Sequence, residues 1–235
     1  MSPLQTFISI HPGWFAFICV VIAGVLLLAW LLYFGFSKQP SEEEKARVYP
    51  GDELLGGESN RLRGTLAVTV DAPPSAVWPY LAQLGQRRAG FYAFDWLERL
   101  FSVHMYNTFY VVDECQNVYV GEYIFYNQNG IGSEVKSYKK DGFIATVSDS
   151  RAPSAFQGSF ALVPPFGLKY FAWSWSFILV PVEGNKTRFF TRCDAVFEPF
   201  SGLPLQLVKV FLGVPSFVMC KAMLLKIKEL AEKNH

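Results

Sequence analysis

The sequence predicts an α+β fold: a curved antiparallel sheet with two short helices holds one long C-terminal helix, and one transmembrane helix precedes the whole. Three features carry that reading. Trp14 to Phe36 contains no charged residue. Between Tyr110 and Phe197 apolar residues recur mostly at every second position and are punctuated by tight-turn pairs. Near the end, Phe217, Cys220, Leu224, Ile227 and Ala231 recur at steps of three and four.

The uncharged stretch makes a helix of roughly 35 Å at about 1.5 Å per residue, enough to cross a hydrocarbon core of about 30 Å with some tilt. Trp14 at one end, and Trp30 and Tyr33 near the other, fit the two interfaces. A signal peptide fits poorly: no basic n-region precedes Trp14, the run exceeds an h-region, and no small-x-small site follows Phe36. A buried core helix would be shorter and carry some polar residues. Lys38, Lys45 and Arg47 follow the helix and no Lys or Arg precedes it, so the positive-inside rule places residues 37 onward in the cytoplasm of a single-pass cell-membrane protein. The expected organisation is an N-terminal segment (1–13), the transmembrane helix (14–36), a linker (37–59) and one folded domain (60–235). The linker reading rests on Pro40, Glu42-Glu43-Glu44, Pro50-Gly51 and Gly56-Gly57, which break any period.

Within the domain, Leu66, Val68 and Val70 alternate with Thr65, Ala67 and Thr69 as a half-buried strand that Asp71-Ala72-Pro73-Pro74 ends. The prolines stand before or in the first turn of a helix expected from about residue 75 to 84, where a missing N–H costs little. Pro79, farther in, shortens or kinks that helix. A second helix, from about 93 to 101, pairs Asp95 with Arg99 four residues on. Strands are expected around 119–126, 133–139, 143–149, 156–163, 171–180 and 187–196, with Asp141-Gly142 and Gly184-Asn185 as hairpin turns. The final helix sets Lys221, Lys228 and Glu232 opposite its apolar stripe.

A net charge of +1, with Arg87-Arg88 as the one dense basic spot, supplies no electrostatic footprint for nucleic acid. The four cysteines are widely spaced, which points to reduced, buried thiols rather than a disulfide framework or a zinc site. No Gly-x-Ser-x-Gly elbow, P-loop or His-Glu-x-x-His helix occurs, and no cofactor or metal is implied. Of three histidines, His104 alone could serve a domain site, and its place in a loop favours an exposed or structural role. Asp95 and Glu98 resemble paired carboxylates, but Arg99 makes a solvated ion-paired face the cheaper account.

Aromatic residues make up 17% of the chain, 22 of them phenylalanine, which is the strongest functional hint. Phe171, Trp173, Trp175, Phe177 and Leu179 share one strand face, opposite Ala172, Ser174 and Ser176. With Trp78, Phe91, Tyr92, Trp96, Phe217 and Met223 they would line a hydrophobic cup, core packing being the plainer alternative for any one of them. Arg192 and Asp194 share a face with Arg188 and Phe190. They orient a ligand if that face lines the cup, and form a cross-strand network if it faces solvent. The segments "VPPFGLKYF" and "FEPFSGLPLQLVKVFLGVPSF" read as lids or as pieces resting on the bilayer, and Lys209 and the prolines argue against a second span.

The stretches "AVTVDAPPSAVWPYLAQLGQRRAGFYAFDWLERL", "SWSFILVPVEGNKTRFFTRCDA" and "VMCKAMLLKIKELAE" resemble the START-like (SRPBCC) superfamily of polyketide cyclase/dehydrase and lipid-transport proteins. The resemblance covers roughly residues 51 to 233. Its most specific piece holds Val77-Trp78-Pro79, Gly85-Gln86, Gly90-Phe91-Tyr92 and Asp95-Trp96-Leu97-Glu98, whereas "SVHMYNTFYVVDECQNVYVGEYI" departs from the pattern of the nearest members. It implies a helix-grip fold and a hydrophobic cavity, and leaves the activity open. The expectation is a membrane-anchored domain that binds or carries a lipid, isoprenoid or polyketide-like ligand at the membrane surface. The rivals are a cyclase or dehydratase using Arg192, Asp194, Tyr92 or His104, and an anchored scaffold with a filled interior.

Overall fold

The structure is a computed structural model and describes residues 12–56, 61–151 and 168–235. It comprises two units, the N-terminal apolar helix and the domain from residue 38 on. Helix α1 (Pro12–Phe36) runs unbroken for 25 residues. Its apolar side chains are presented outward, with Trp14 65%, Leu26 65% and Tyr33 75% exposed. By length and composition the helix is sufficient to cross a bilayer core. A second helical stretch, Gly202–Lys233, also has the length and composition to cross a membrane.

In the domain the strands are β1 (Leu62–Val70), β2 (Tyr123–Phe125), β3 (Gly132–Lys139), β4 (Phe143–Asp149), β5 (Tyr170–Val182) and β6 (Lys186–Glu198). They form one antiparallel sheet in the order β1-β6-β5-β4-β3-β2, so the first strand closes against the last and the rest is a meander. Both predicted hairpins form, with Asp141, Gly184 and Asn185 at the positive φ that such turns demand. The strand expected around 119–126 is reduced to Tyr123–Phe125, because Gly121 turns at φ 89° and its N–H is taken by the Val135 carbonyl. The strand expected around 156–163 lies outside the described residues.

Helix α2 (Glu42–Ala46) precedes the sheet, and α3 (Pro74–Ala82) and α4 (Asp95–Leu100) follow β1. The chain ends in α5 (Gly202–Val208), a π-helical turn (Lys209–Gly213) and the long α6 (Val214–Lys233). Pro73 and Pro74 open α3 as expected, and the helix ends three residues beyond Pro79. The Asp95–Arg99 pair forms at 2.7 Å.

Helix α6 lies along β1 and α3. Leu66, Val70, Phe177, Phe189, Met223, Leu224 and Ile227 are sealed between sheet and helix. Full burial of such a side chain stabilises by about 1.5–3 kcal/mol, so this inner layer is the main source of folding energy. Lys221, assigned to the outward side of α6 by its spacing, is instead buried, and desolvation, then Lys38 and Arg188, lower its pKa.

The stretch read as a linker is built onto the outer face of the sheet. Ser41 and Glu44 form a reciprocal cap on α2, the Ser41 hydroxyl accepting from the Glu44 N–H at 3.1 Å. Tyr49 then packs against Ala67, Ile178 and Phe190, and Leu55 against Ala172 and Val196. Gly51 lies so close to Ser176 that a Cβ would strike its hydroxyl. Isolated anchors at irregular spacing leave no period to read, which is why the sequence pattern suggested a tether.

Candidate functional site

On the inner face β5 presents Phe171, Trp173, Trp175 and Phe177 in alternation, as the period of two requires. Their rings form a continuous wall. Phe171 and Trp173 stack at 5.7 Å, and Tyr126 bridges Trp173 and Trp175 at 6.2 and 5.8 Å. Phe91 stacks on Trp175 at 5.6 Å. Beside Trp175 stands Cys193 of β6, and beside Cys193 stands Gly64 of β1. Phe217 of α6 lies directly over Gly64, occupying the space a Cβ would need. Cys220 follows one turn later on α6.

This part of the interior is not closed. Tyr126, Trp173, Trp175, Cys193, Phe217 and Cys220 keep accessible surface, while Phe177, Leu224 and Ile227 deeper in are sealed. An aromatic wall that keeps accessible surface between sheet and helix is the candidate ligand-binding surface, called the cleft below.

Its polar groups are few and uncharged. The Trp175 indole N–H donates to Thr191 Oγ1 at 2.6 Å, and that of Trp173 to the Tyr126 hydroxyl at 3.3 Å. Tyr126 and Ser133 share a hydrogen bond of 2.5 Å. Ser148, opposite Trp173, is buried with its hydroxyl lacking a partner among the described residues. The inward positions of β1, β4, β5 and β6 carry no charged residue among those described. Burial, with a contribution from Asp194, pushes the Cys193 thiol up to about 12, and burial also raises the Cys220 thiol and the Tyr126 hydroxyl. All three are therefore neutral near pH 7 and poorly suited to act as nucleophile or base.

The predicted residues divide into four groups. Phe91, Trp173, Trp175 and Phe217 meet at the cleft. Trp78, Tyr92, Phe177 and Met223 are core, with Tyr92 held by a 2.6 Å hydrogen bond from Gln83 Nε2 to its hydroxyl. Trp96 is 60% exposed on α4. Arg192 is on the opposite face of the sheet, 2% exposed, which corrects the reading that it orients a ligand in the cup. The alternation that turns Phe189, Thr191 and Cys193 inward turns Arg188, Phe190, Arg192 and Asp194 outward.

There Arg192 joins a closed network beneath the 41–56 segment. It donates to Asp52 Oδ2 at 2.8 Å, to Thr65 Oγ1 at 3.0 Å and to the carbonyls of Lys45 and Arg47 at 2.7 and 2.9 Å. Arg63 pairs with both oxygens of Asp194 at 2.7 Å and reaches Asp52 at 3.1 Å. Arg188 pairs with Glu44 at 2.8 Å, which lowers the Glu44 pKa.

Tyr126, Ser133, Ser148, Thr191 and Cys193 were missed as site residues. Thr191 and Cys193 share the parity of Phe189, so a strand-face reading of β6 could have found them. Ser133 shares the parity of Val135 in β3 and could have been found the same way, whereas Tyr126 stands in the bend just after β2, outside its alternation. Two surface hollows lie elsewhere: one of about 190 Å³ beside Arg88 and Glu122, the other of about 480 Å³ between Tyr80, Phe109, Lys226 and Asn234. Neither contains a predicted residue.

No family model matches the chain, and no curated protein matches it. Among solved structures it is similar to a hypothetical protein of Helicobacter pylori, at 13% identity, TM-score 0.41, over 78% of this chain and 95% of that one. It is also similar to norcoclaurine synthase of Thalictrum flavum in complex with dopamine and hydroxybenzaldehyde, at 10% identity, TM-score 0.41, over 74% and 88%. A third is Ara h 8.0201, at 11% identity, TM-score 0.35, over 71% and 97%. Likenesses this distant have no bearing on chemistry.

Proposed function

We propose that this chain is a membrane-anchored START-like carrier or receptor whose domain holds an uncharged, largely apolar ligand of lipid, isoprenoid or polyketide type at the bilayer surface. The observation that carries the reading is the partly open aromatic wall of Tyr126, Trp173, Trp175 and Phe217, with no charged group among its described inward positions. Apolar surface withdrawn from water is worth about 25 cal/mol per Å², so such a ligand is held by burial alone. The hydroxyl of Tyr126 suits one neutral hydrogen-bonding group on it, a hydroxyl or carbonyl, and an acid would meet no counter-charge. α1 supplies the anchor, and Lys38, Lys45 and Arg47 support a cytoplasmic domain.

The cyclase reading is not favoured. Arg192 and Asp194 are committed to the outer face, and the Tyr92 hydroxyl is engaged by Gln83. Native mass spectrometry of the full chain released from detergent, with extraction of the bound compound, tests the proposal. Ala195→Trp, placed on the inward face next to Trp173, should abolish the bound mass while circular dichroism stays unchanged. An unchanged ligand load in that variant, or an empty parent protein, would sink the reading.

A further inference from the structure

We infer that the chain meets the bilayer a second time: the helix leading into the cleft lies in the plane of an anionic membrane surface on the stripe Leu203, Leu207, Val210 and Phe211. This rests on the reading of α1 as a membrane span.

The four side chains are 72%, 48%, 56% and 71% exposed. At 100° per residue they fall within an arc of roughly 100°, so they form one stripe. Leu205, on the other side of α5, is buried, so the helix is fastened to the domain at that point. The charge pattern matches a surface of negative headgroups. From Pro199 to Lys228 the chain has no carboxylate, and its charged residues there, Lys209, Lys221, Lys226 and Lys228, are all basic. A span is the wrong geometry for this segment, since α6 continues into the sealed core through Val218, Met223 and Leu224.

The remaining argument is tether length. Four residues, 37 to 40, separate α1 from Ser41, which caps the helix fastened to the sheet. They reach at most roughly 14 Å, so an anchored domain stays beside the bilayer and its apolar stripe has lipid at hand. The π-helical turn passes directly into the first turns of α6, which carry Phe217 and Cys220 of the cleft. An in-plane α5 thus presents the cleft to the lipid phase, from which an apolar ligand enters without crossing water.

The test uses the full chain in vesicles of phosphatidylcholine and phosphatidylglycerol. Spin labels are placed at Leu207→Cys and Phe211→Cys, with Lys140→Cys in the β3–β4 turn as the reference and the unsubstituted chain as the labelling blank. Labels at 207 and 211 should collide with oxygen more than with an aqueous nickel chelate, the label at 140 should do the reverse, and omitting phosphatidylglycerol should lower the ratio at 207 and 211. Nickel access at 207 and 211 equal to that at 140 overturns the inference. So does dipolar broadening between copies with both reagents shut out, which would make the stripe a face for a second copy; a ratio indifferent to phosphatidylglycerol overturns its anionic part. The two readings fail separately: an empty cleft with lipid-exposed labels removes the carrier function alone, and water-exposed labels on a ligand-loaded protein remove this inference alone.

Discussion

Replacing Arg192 with leucine should detach the segment after α1 from the sheet without emptying the cleft. The guanidinium is 2% exposed and spends its donors on Asp52, Thr65 and the carbonyls at the end of α2. Removing one partner of a buried pair costs about 3–5 kcal/mol, because the other charge stays behind undercompensated. Asp52 retains Arg63 at 3.1 Å and is itself slightly exposed, which selects the low end, about 3 kcal/mol. For a domain of this size that is a fall in thermal midpoint of roughly 6–12 °C. The assay is near-ultraviolet circular dichroism of the full chain in detergent, with trypsin cleavage after Lys45 and Arg47 as a local reporter. Cleavage should accelerate, and ligand bound per folded molecule should not change. Adding Asp52→Leu should cost less than the sum of the two single variants, since the pair is then removed whole. A midpoint shift under about 2 °C together with ligand loss would refute the reasoning and return Arg192 to the role of ligand orienter.

Gln83→Leu should loosen the loop from Tyr110 to Gln116. The buried amide of Gln83 donates to the Tyr110 carbonyl at 2.9 Å and accepts from the Val112 N–H at 2.9 Å and from Gln116 at 3.1 Å, so about 1–3 kcal/mol is lost and amide exchange rises there first. Phe177→Ala, in the sealed layer, should cost about 3–5 kcal/mol, whereas Trp173→Ala, on the open wall, should cost less in denaturant melts and more in ligand occupancy; the reverse order would mean the wall is ordinary core. Glu98 is pushed up to about 7 by burial and then by Asp95, against the pull of Arg99. The folded chain therefore holds this proton where the unfolded one, near its ordinary 4.5, has lost it, so stability falls as pH rises through that window and levels off above it. Partial solvent access keeps the effect below about 2 kcal/mol. Amide exchange of α4, corrected for intrinsic rate, should show the trend, and Glu98→Gln should abolish it.

The elements that rest on a period were legible. β1 and β6 differ from the expected strands by a few residues at their ends, and Asp141 and Gly184-Asn185 turn where their φ preferences require. The aromatic wall was legible for the same reason, since alternation along β5 fixes which residues share a face. Arg192 was not, because the sequence shows which residues of β6 share a face but not which face meets α6. Resolving that needed the 41–56 segment, whose anchors Tyr49, Gly51 and Leu55 follow no repeat. Trp96 failed differently. It sits in a helix of six residues on the periphery, and an aromatic identity alone does not say that a core lies beneath.

The two faces of β6 explain how one sheet can keep a cleft open. An aromatic wall with free surface forgoes packing energy, because side chains bordering a void lack contact partners on one side. In this domain stabilisation is supplied from elsewhere: from the sealed layer of Phe177, Phe189, Leu224 and Ile227 at one end, and from the outer face, where Arg192, Arg63, Asp52 and Asp194 are mutually satisfied under a cover of Tyr49 and Leu55. The outer cover matters because single-residue anchors and buried charges hold the sheet from behind, so the inner face near Trp173 need not be filled to hold it from the front. The same cover fixes the start of the domain within four residues of the end of α1. Stabilising the sheet from the back is therefore the task of this cover, and a substitution that loosens it should lower stability before it touches the cleft.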